Sequence, residues 1–325
     1  MQVDPKTAQV MNGLKSKLSE ILGEFDNSAR IIYVDYPVHL NIGDLLINQG
    51  TELFFRENRL NIWRRYNLGY TNDFPETIKG IDDSVVFILH GGGNFGDIYG
   101  NHNSRRERLI ARFPRNRFVV MPQTIFFQDK ERERQSVLTI AQHGNCKVLC
   151  RDEYSVDVMH RNGIASASAM PDMAHMLWNV VRPSAEPTEN KPFYLVRREE
   201  ETAGSFNSEL FPGDALTVDW EQIIRPKHLR CANAAIRYMD LLSRKNVPVQ
   251  KTALWYPIRD LIVLDGIRAV SKHPSVVTDR LHAMLLALLL GRNVTAVDNS
   301  YGKLSGYVDI WLRNVPMLNF VYTKA

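Results

Sequence analysis

The chain has 325 residues and a formal net charge of +4, and 44% of its residues are hydrophobic while 23% are charged. This composition is ordinary for a globular protein, and the length predicts two domains. The small basic excess is compatible with anionic substrates or a membrane surface, but it is too weak to indicate a nucleic-acid-binding protein.

The cysteine content and the first residues of the chain favour a reducing compartment. Three cysteines form a sparse, odd set that argues against a disulfide framework, and Cys146 and Cys150 flank a strand-like run where small buried hydrophobes are expected. The N-terminal residues lack the apolar segment of a signal peptide. The longest apolar stretch, residues 283–290, is too short to span a bilayer. We therefore expect a cytoplasmic protein, with peripheral contact at the inner membrane left open.

The hydrophobic pattern predicts alternating strands and helices in two halves. Helical periodicity from Val10 to Phe25 predicts a leading amphipathic helix, and strand–helix alternation follows to about residue 181. Residues 183–192 contain three prolines and almost no apolar side chains, which predicts a linker between domains 1–182 and 193–325. In the second half we expect a strand at 193–198, an irregular loop at 199–214 that is either a lid or a surface insertion, a helix at 232–245, a strand at 247–253, a helix at 260–271, and strands near 276 and at 294–297.

Five strand-like apolar runs each end in a polar cluster. They are residues 31–34, 85–89, 117–121, 146–150 and 276–277. Open α/β sheets bind ligands at the carboxyl ends of their strands, so this repetition predicts a site along one edge of a parallel sheet.

The most informative cluster is Asp279, Arg280 and His282, at the junction between a strand and an apolar helix. Arginine offers a fixed fork for carboxylate or phosphate, and histidine can titrate near neutral pH. The pair suits an anion that must also receive or lose a proton. The alternative is a helix start in which Asp279 is the cap and Arg280 pairs with a carboxylate elsewhere.

A glycine-rich segment follows the second apolar run. Gly91, Gly92 and Gly93 can adopt positive φ angles, and their N–H groups can form an anion cradle, although a tight connection is an equal alternative. The segment is neither a P-loop nor a dinucleotide fingerprint. Asp44 and Asp97 are expected to cap the helices that follow them, the alternative being contact with a sugar hydroxyl or a role as base for the acceptor.

The histidines of the first half do not show metal-ligand spacing. His102 is favoured as a substrate ligand because it lies just beyond the presumed site loop, whereas His90 and His175 are interpreted as hydrogen-bonded structural residues. Which of His90 and His102 contacts the donor stays open. Lys303 is interpreted as a solvated side chain.

Taken in order, the polar clusters resemble the motifs of the polysaccharide pyruvyl transferase family. The resemblance extends from about Tyr33 to Gly306, and within the family the chain is most similar in character to bacterial exopolysaccharide enzymes. The segments that carry it are 41–44, 90–97, 122–123, 151–155 and 278–282. It implies an α/β fold of two Rossmann-like domains facing a cleft, as in GT-B glycosyltransferases. It also implies transfer of the pyruvyl group from phosphoenolpyruvate to a sugar, usually as a 4,6-linked cyclic ketal on a hexose.

The resemblance further implies roles for particular residues. His282 is expected to be the catalytic acid and Arg280 to bind the anionic groups of the donor. The expected substrate-binding residues are Arg151, His102, Gly91, Gly92, Gly93, Asn94, Asp97 and Asp44. We expect no cofactor and no metal, phosphoenolpyruvate and a glycan acceptor (expected to be lipid-linked) as partners, and no nucleic acid.

Two other classes of function remain as alternatives. A GT-B glycosyltransferase that uses a nucleotide sugar has the same architecture, since fold does not fix function. A scaffold that binds lipid-linked glycan is a non-enzymatic alternative, against which the proximity of Arg280 and His282 argues.

Overall fold

The computed structural model describes residues 3–26, 28–68, 80–98, 100–196, 217–245, 250–298 and 303–322. Within them the protein is a mixed α/β structure with two parallel sheets, each formed from a different half of the chain.

The larger sheet has seven strands in the order β2-β1-β3-β5-β6-β7, with β4 paired beside an extension of β5. All of its described pairs are parallel. Its strands are β1 Ile31–Val34, β2 Ile62–Tyr66, β3 Val86–Leu89, β4 Gly92–Gly96, β5 Arg117–Phe126, β6 Cys146–Cys150 and β7 Ser168–Ala169. The central strands are continuous apolar runs because both faces of the sheet are covered.

Helices of the first half cover both faces of this sheet. They are α1 Pro5–Lys17, which continues into a 3₁₀ helix Leu18–Glu24, then α2 Ile42–Glu57, α3 Gly100–Arg112, α4 Lys130–His143, α5 Glu153–Arg161, and a second 3₁₀ helix Met173–Leu177.

The smaller sheet has four parallel strands in the order β11-β10-β9-β8. The strands are β8 Phe193–Leu195, β9 Ser275–Thr278, β10 Asn293–Val297 and β11 Leu318–Val321, and the helices are α6 Trp220–Ile223, α7 Pro226–Arg244, α8 Thr252–Ser271, α9 Leu281–Leu289 and α10 Lys303–Trp311. No described helix combines the length and the apolar content needed to cross a bilayer.

One hydrophobic core runs through both halves of the chain. It includes Tyr33 and Leu46 of the first half and Trp255 and Leu286 of the second, all completely buried. Helix α8 lies against α2, where a Cβ on Gly266 would be only 3.1 Å from the Ile42 side chain. The mixed α/β class is confirmed, whereas the domain limits and the open cleft stay predictions.

Several predicted element boundaries differ from the structure. The leading helix begins earlier, at Pro5, because Asp4 accepts a hydrogen bond from Thr7 N at its start, and its last part is a 3₁₀ helix. The strand predicted at 247–253 is wrong where it is described, since Thr252 begins α8, which continues past Pro257. Residues 246–249 and the predicted loop 199–214 lie outside the described residues.

Candidate active site

The polar clusters that follow β1, β3 and β5 lie at one edge of the larger sheet. Parallel register pairs Val34 with Leu89 and Leu89 with Val120, so the loops after these strands begin side by side. The Arg151 amide, directly after β6, donates to Gln123 O in β5. The N-terminus of α9, from the smaller sheet, reaches the same edge.

A buried carboxylate, Asp172, joins the two halves of the chain at this edge. Its Oδ2 lies 2.6 Å from Nη1 of Arg151 and 3.2 Å from Nε2 of His282. The other guanidinium nitrogens of Arg151, Nη2 and Nε, donate to Thr124 Oγ1 at 2.9 Å and 3.1 Å. The carboxylate therefore orients a cation from the larger sheet and an imidazole from α9 together.

The surroundings of Asp172 keep its carboxyl ionised. Burial raises its pKa, but this effect is outweighed by the charge and hydrogen bond of His282 and by the charge of Arg151, so the pKa lies well below its usual range. The Ala174 amide donates to Oδ1 at 2.8 Å. Asp172 is therefore a charged acceptor for the groups that face it, Arg151 and His282.

Behind Asp172 lies a buried, uncharged layer. The Asp172 amide donates to Tyr307 Oη at 3.0 Å, and Nε2 of His175 lies 2.8 Å from the same hydroxyl. Burial lowers the pKa of His175 to about 4, so its ring is neutral near pH 7. His175 is thus a hydrogen-bonded structural residue, in line with the sequence.

Gly43 explains why the segment 41–44 belongs to the site. A Cβ at this position would be 2.8 Å from Nδ1 of His282, so the backbone of the first turn of α2 lies against the imidazole. The helix is capped by Asn41, whose side chain accepts from Gly43 N at 2.9 Å. The prediction that Asp44 caps this helix is therefore wrong, because Asp44 already lies in the first turn and its carboxylate is available to other partners.

The glycine-rich segment passes between Asp44 and Arg151. Gly92 has a φ of 123°, and a Cβ there would lie 3.6 Å from Asp44 Oδ1. A Cβ on Gly93 would be 3.3 Å from Nη2 of Arg151. On the other side, a Cβ on Gly91 would clash with Pro122 O at 2.6 Å. Gly92 begins strand β4, so the predicted turn is a short strand whose backbone faces the site.

Asn94 and Asp97 attach β4 to the neighbouring strand. Asn94 Oδ1 accepts from Gln123 Nε2 at 2.7 Å. The Asp97 carboxylate accepts from the amides of Gln128 and Asp129, each within 2.9 Å. These two amides follow β5, so Asp97 holds the start of the next connection; residue 99, before α3, lies outside the described residues, and the cap at Asp97 stays a prediction.

A second polar cluster follows β1; the sequence predicted polar residues after this strand and named His102, but it did not single out Asp35 or Arg106. Asp35, with a φ of 70°, lies 2.6 Å from Nη2 of Arg106 and 3.8 Å from Nδ1 of His102. Burial raises the pKa of Asp35, but Arg106 and His102 lower it to about 2 overall. Asp35 directly follows a strand, which was the available signal, whereas Arg106 is one of many arginines in α3.

His39 and Asp44 form the exposed side of this cluster. Nε2 of His39 lies 3.5 Å from Asp44 Oδ2, and each side chain is about one-third exposed. The pKa of His39 is lowered, chiefly by burial. His90, by contrast, is buried, with Nδ1 2.6 Å from Tyr33 Oη and a pKa lowered by burial to about 4.

Arg280 lies at the N-cap of α9 and pairs with a different carboxylate. Its Nη2 pairs with Asp219 Oδ2, at the start of α6, and no side chain caps the helix. The carboxylate partner that the alternative interpretation required is therefore present, but Asp279 is not the cap. Among the hydrogen bonds that the described residues make, Arg280 Nε has none although it is buried.

The structure connects several of the predicted site residues. His282 and Arg151 both contact Asp172, Gly93 lies beside Arg151, Asp44 lies beside Gly92, and Arg280 precedes the helix that carries His282. Asp172 was missed because it follows β7, a strand of two residues that is too short to be recognised from its pattern. In the described part of the chain, no group of three or more His, Cys, Asp or Glu residues could hold a metal ion.

Comparison with known proteins places these observations in a family. The sequence profile of the polysaccharide pyruvyl transferases matches residues 41–301. A Bacillus subtilis protein named EpsO and assigned as a pyruvyl transferase is 32% identical over 96% of this chain and 94% of its own length. Pyruvyl transferase 1 of Schizosaccharomyces pombe is 24% identical over 89% of this chain and 71% of its own.

The fold also has a counterpart among solved structures. A functionally uncharacterised protein of Klebsiella pneumoniae superposes with a TM-score of 0.64 at 19% identity, covering 95% of this chain and 98% of the other. At this identity the likeness concerns the fold alone. The family match confirms the resemblance deduced from the motifs: the chain belongs to the polysaccharide pyruvyl transferase family, which indicates a transferase of pyruvyl groups.

Proposed function

We propose that the protein transfers the pyruvyl group of phosphoenolpyruvate to a hexose of a polysaccharide precursor, forming a cyclic ketal and releasing phosphate. The observation that carries the proposal is the Asp172 carboxylate, which holds Arg151 and His282 together in a chain of this family. The reaction needs an anion-binding group and a proton donor at one place, and these two side chains have those properties.

His282 acts as the acid. Its protonated imidazole gives a proton to the methylene carbon of phosphoenolpyruvate, which makes the adjacent carbon electrophilic. One acceptor hydroxyl adds to that carbon, the carbon–oxygen bond to phosphate breaks, and the second hydroxyl closes the ring. Of the two hydroxyl protons, one passes through Asp44 and solvent to restore the imidazolium, and the other leaves with phosphate, so the step balances. Asp172 holds the imidazole in place through its Nε2 atom.

The anionic groups of the donor are bound by arginine and by backbone amides. Arg151 is fixed by Thr124 and Asp172, which orients its guanidinium beside Gly93. Arg280 contributes the buried Nε that has no hydrogen bond within the described part of the chain. A carboxylate and a phosphate match these groups without a metal ion, so we expect turnover to survive chelation of divalent cations.

Asp44 is the base that receives the acceptor hydroxyl proton. It lies one residue from Gly43, which touches His282, and its Oδ1 faces Gly92. His39 holds the other oxygen of Asp44 and is a positioning residue. An acid on α9 and a base on α2 then face the reacting carbon from different elements, which allows both proton transfers in one site.

The test is release of phosphate from phosphoenolpyruvate with a panel of lipid-linked or aryl-linked hexosides. We expect acceptor-dependent release that falls about 10²–10⁴-fold in His282→Ala, the usual contribution of a general acid. The matched control is His160→Ala, an exposed histidine in the last turn of α5, which should retain wild-type turnover. Failure of every acceptor, together with thermal stabilisation by a nucleotide sugar, would instead favour a glycosyltransferase.

A further inference from the structure

The hairpin of α7 and α8 has an unusual outer surface. The two helices are antiparallel neighbours, since Nδ1 of His228 lies 2.6 Å from Asp265 Oδ2 at one end and Lys251 Nζ lies 2.6 Å from Ser243 Oγ at the other. Helix α8 packs on α2, where Tyr256 Oη donates to Glu52 at 2.7 Å. The outer side of the hairpin therefore faces away from the core.

The exposed face of α7 is strongly basic. Cationic residues that recur at spacings of three and seven residues form one stripe along about 27 Å of helix. Its exposed cationic members are Lys227, Arg230, Arg237, Arg244 and Lys245. Asp240 is the acidic residue beside them, 2.9 Å from Arg244. Five cations and one carboxylate give this surface a net charge of +4, as large as the net charge of the whole chain.

Apolar side chains are exposed within the same surface. On α7, Tyr238 is 54% and Leu241 is 45% exposed, and on α8 Leu254 and Leu261 are each 37% exposed. The pairing of Ser243 with Lys251 puts Leu241 within a turn of Leu254 across the hairpin. Scattered exposed apolar residues need no explanation, but a group flanked by a basic stripe is typical of an interaction surface.

We propose that this α7–α8 surface docks the protein on a bilayer that carries anionic headgroups. Basic side chains near an anionic membrane surface are each attracted to it, and neighbouring tyrosine and leucine side chains can insert into the headgroup layer. A nucleic acid would use the positive charge but would have no use for exposed Leu241, Leu254 and Leu261.

The position of the surface suits an acceptor that is attached to a membrane. Asp219, the partner of Arg280, is seven residues before Pro226, the first residue of α7. Seven residues span at most about 25 Å, so the docking helix begins within that distance of the site. The docking inference stands without the proposed reaction, but the two together predict a membrane-bound substrate.

The experiment is sedimentation of the full-length protein with vesicles. One set contains phosphatidylcholine alone and the other contains phosphatidylcholine with phosphatidylglycerol. We expect binding to the second set, weakened by salt, and little binding to the first. In Arg230→Glu/Arg237→Glu, the partition to anionic vesicles should fall at least tenfold, while phosphate release with a soluble acceptor stays at the wild-type level.

The control is Arg115→Glu/Arg134→Glu, which makes the same change in net charge at two highly exposed arginines outside the hairpin. Equal loss in both double variants would contradict the proposal, because it would show attraction by net charge alone. Absence of binding by the wild type would also overturn it. Light scattering tests whether a second copy of the chain occupies this surface instead. A dimer that dissociates in Tyr238→Ser/Leu241→Ser would identify the surface as a self-interface and overturn the proposal. If the wild type shows no turnover but binds anionic vesicles, the proposed reaction is contradicted and the docking proposal is not.

Discussion

Asp172 is the residue that connects the larger sheet to α9. It accepts from Arg151 and His282 at the same oxygen, and its pKa is held low by these two partners against the effect of burial. The sequence indicated both partners, because each follows a strand of recognisable length. It did not indicate their carboxylate, because contacts between residues 110 positions apart leave no local pattern.

We predict that Asp172→Asn reduces both turnover and stability. The amide removes the charge that fixes the imidazole and leaves Arg151 buried beside a neutral group, which costs about 3–5 kcal/mol of unfolding free energy. The phosphate-release rate should fall at least tenfold, measured beside urea denaturation. The control is Asp152→Asn, the N-cap of α5, where asparagine caps as well as aspartate does. Wild-type turnover in Asp172→Asn would show that the Asp172 carboxylate is not needed for the reaction.

At the level of elements, the sequence predicted the buried strands but missed the short or partly exposed ones. The runs that form β1, β3, β5, β6 and β9 are buried on both faces and are therefore continuously apolar. Strand β2 was missed because four of its five residues are partly or fully exposed and two of them are arginines, and β4 because its glycines carry no hydrophobic pattern. The start of α8 was assigned to a strand because Pro257 resembles a helix boundary.

The first turn of α2 is the element whose fit to the site is tightest. In Gly43→Ala, the new Cβ would come within 3 Å of three atoms of His282, so the imidazole must move. We expect the fold to persist and phosphate release to fall at least tenfold, since small displacements at a reacting group are costly. The control is Gly13→Ala in α1, where a Cβ meets nothing within 4 Å, and which should keep full activity. Full activity in Gly43→Ala would show that His282 is not held against α2.

For the molecule as a whole, two buried histidines make the free energy of unfolding depend on pH. His90 and His175 are buried and have a pKa of about 4, against about 6.5 in an unfolded chain. Between these pH values the unfolded state binds more protons, so the free energy of unfolding falls as the pH is lowered. Each histidine contributes a loss of about 2 kcal/mol between pH 7.5 and pH 5.

We therefore predict that His175→Gln flattens the pH dependence of stability. Glutamine can form a hydrogen bond with Tyr307 Oη in place of Nε2 but does not titrate, so the loss between pH 7.5 and pH 5 should shrink by about 2 kcal/mol. Urea denaturation at the two pH values measures it. An unchanged pH dependence would mean that His175 is not held neutral in the folded state.

The most direct test of pyruvyl transfer is the reaction of wild-type protein with phosphoenolpyruvate and a hexoside in deuterium oxide, followed by NMR and mass spectrometry of the product. The account predicts a cyclic ketal whose methyl group carries one deuterium, formed with stoichiometric phosphate and lost in His282→Ala. A product that keeps a vinylic methylene, or no product with any hexoside under conditions in which the protein is folded, would contradict it.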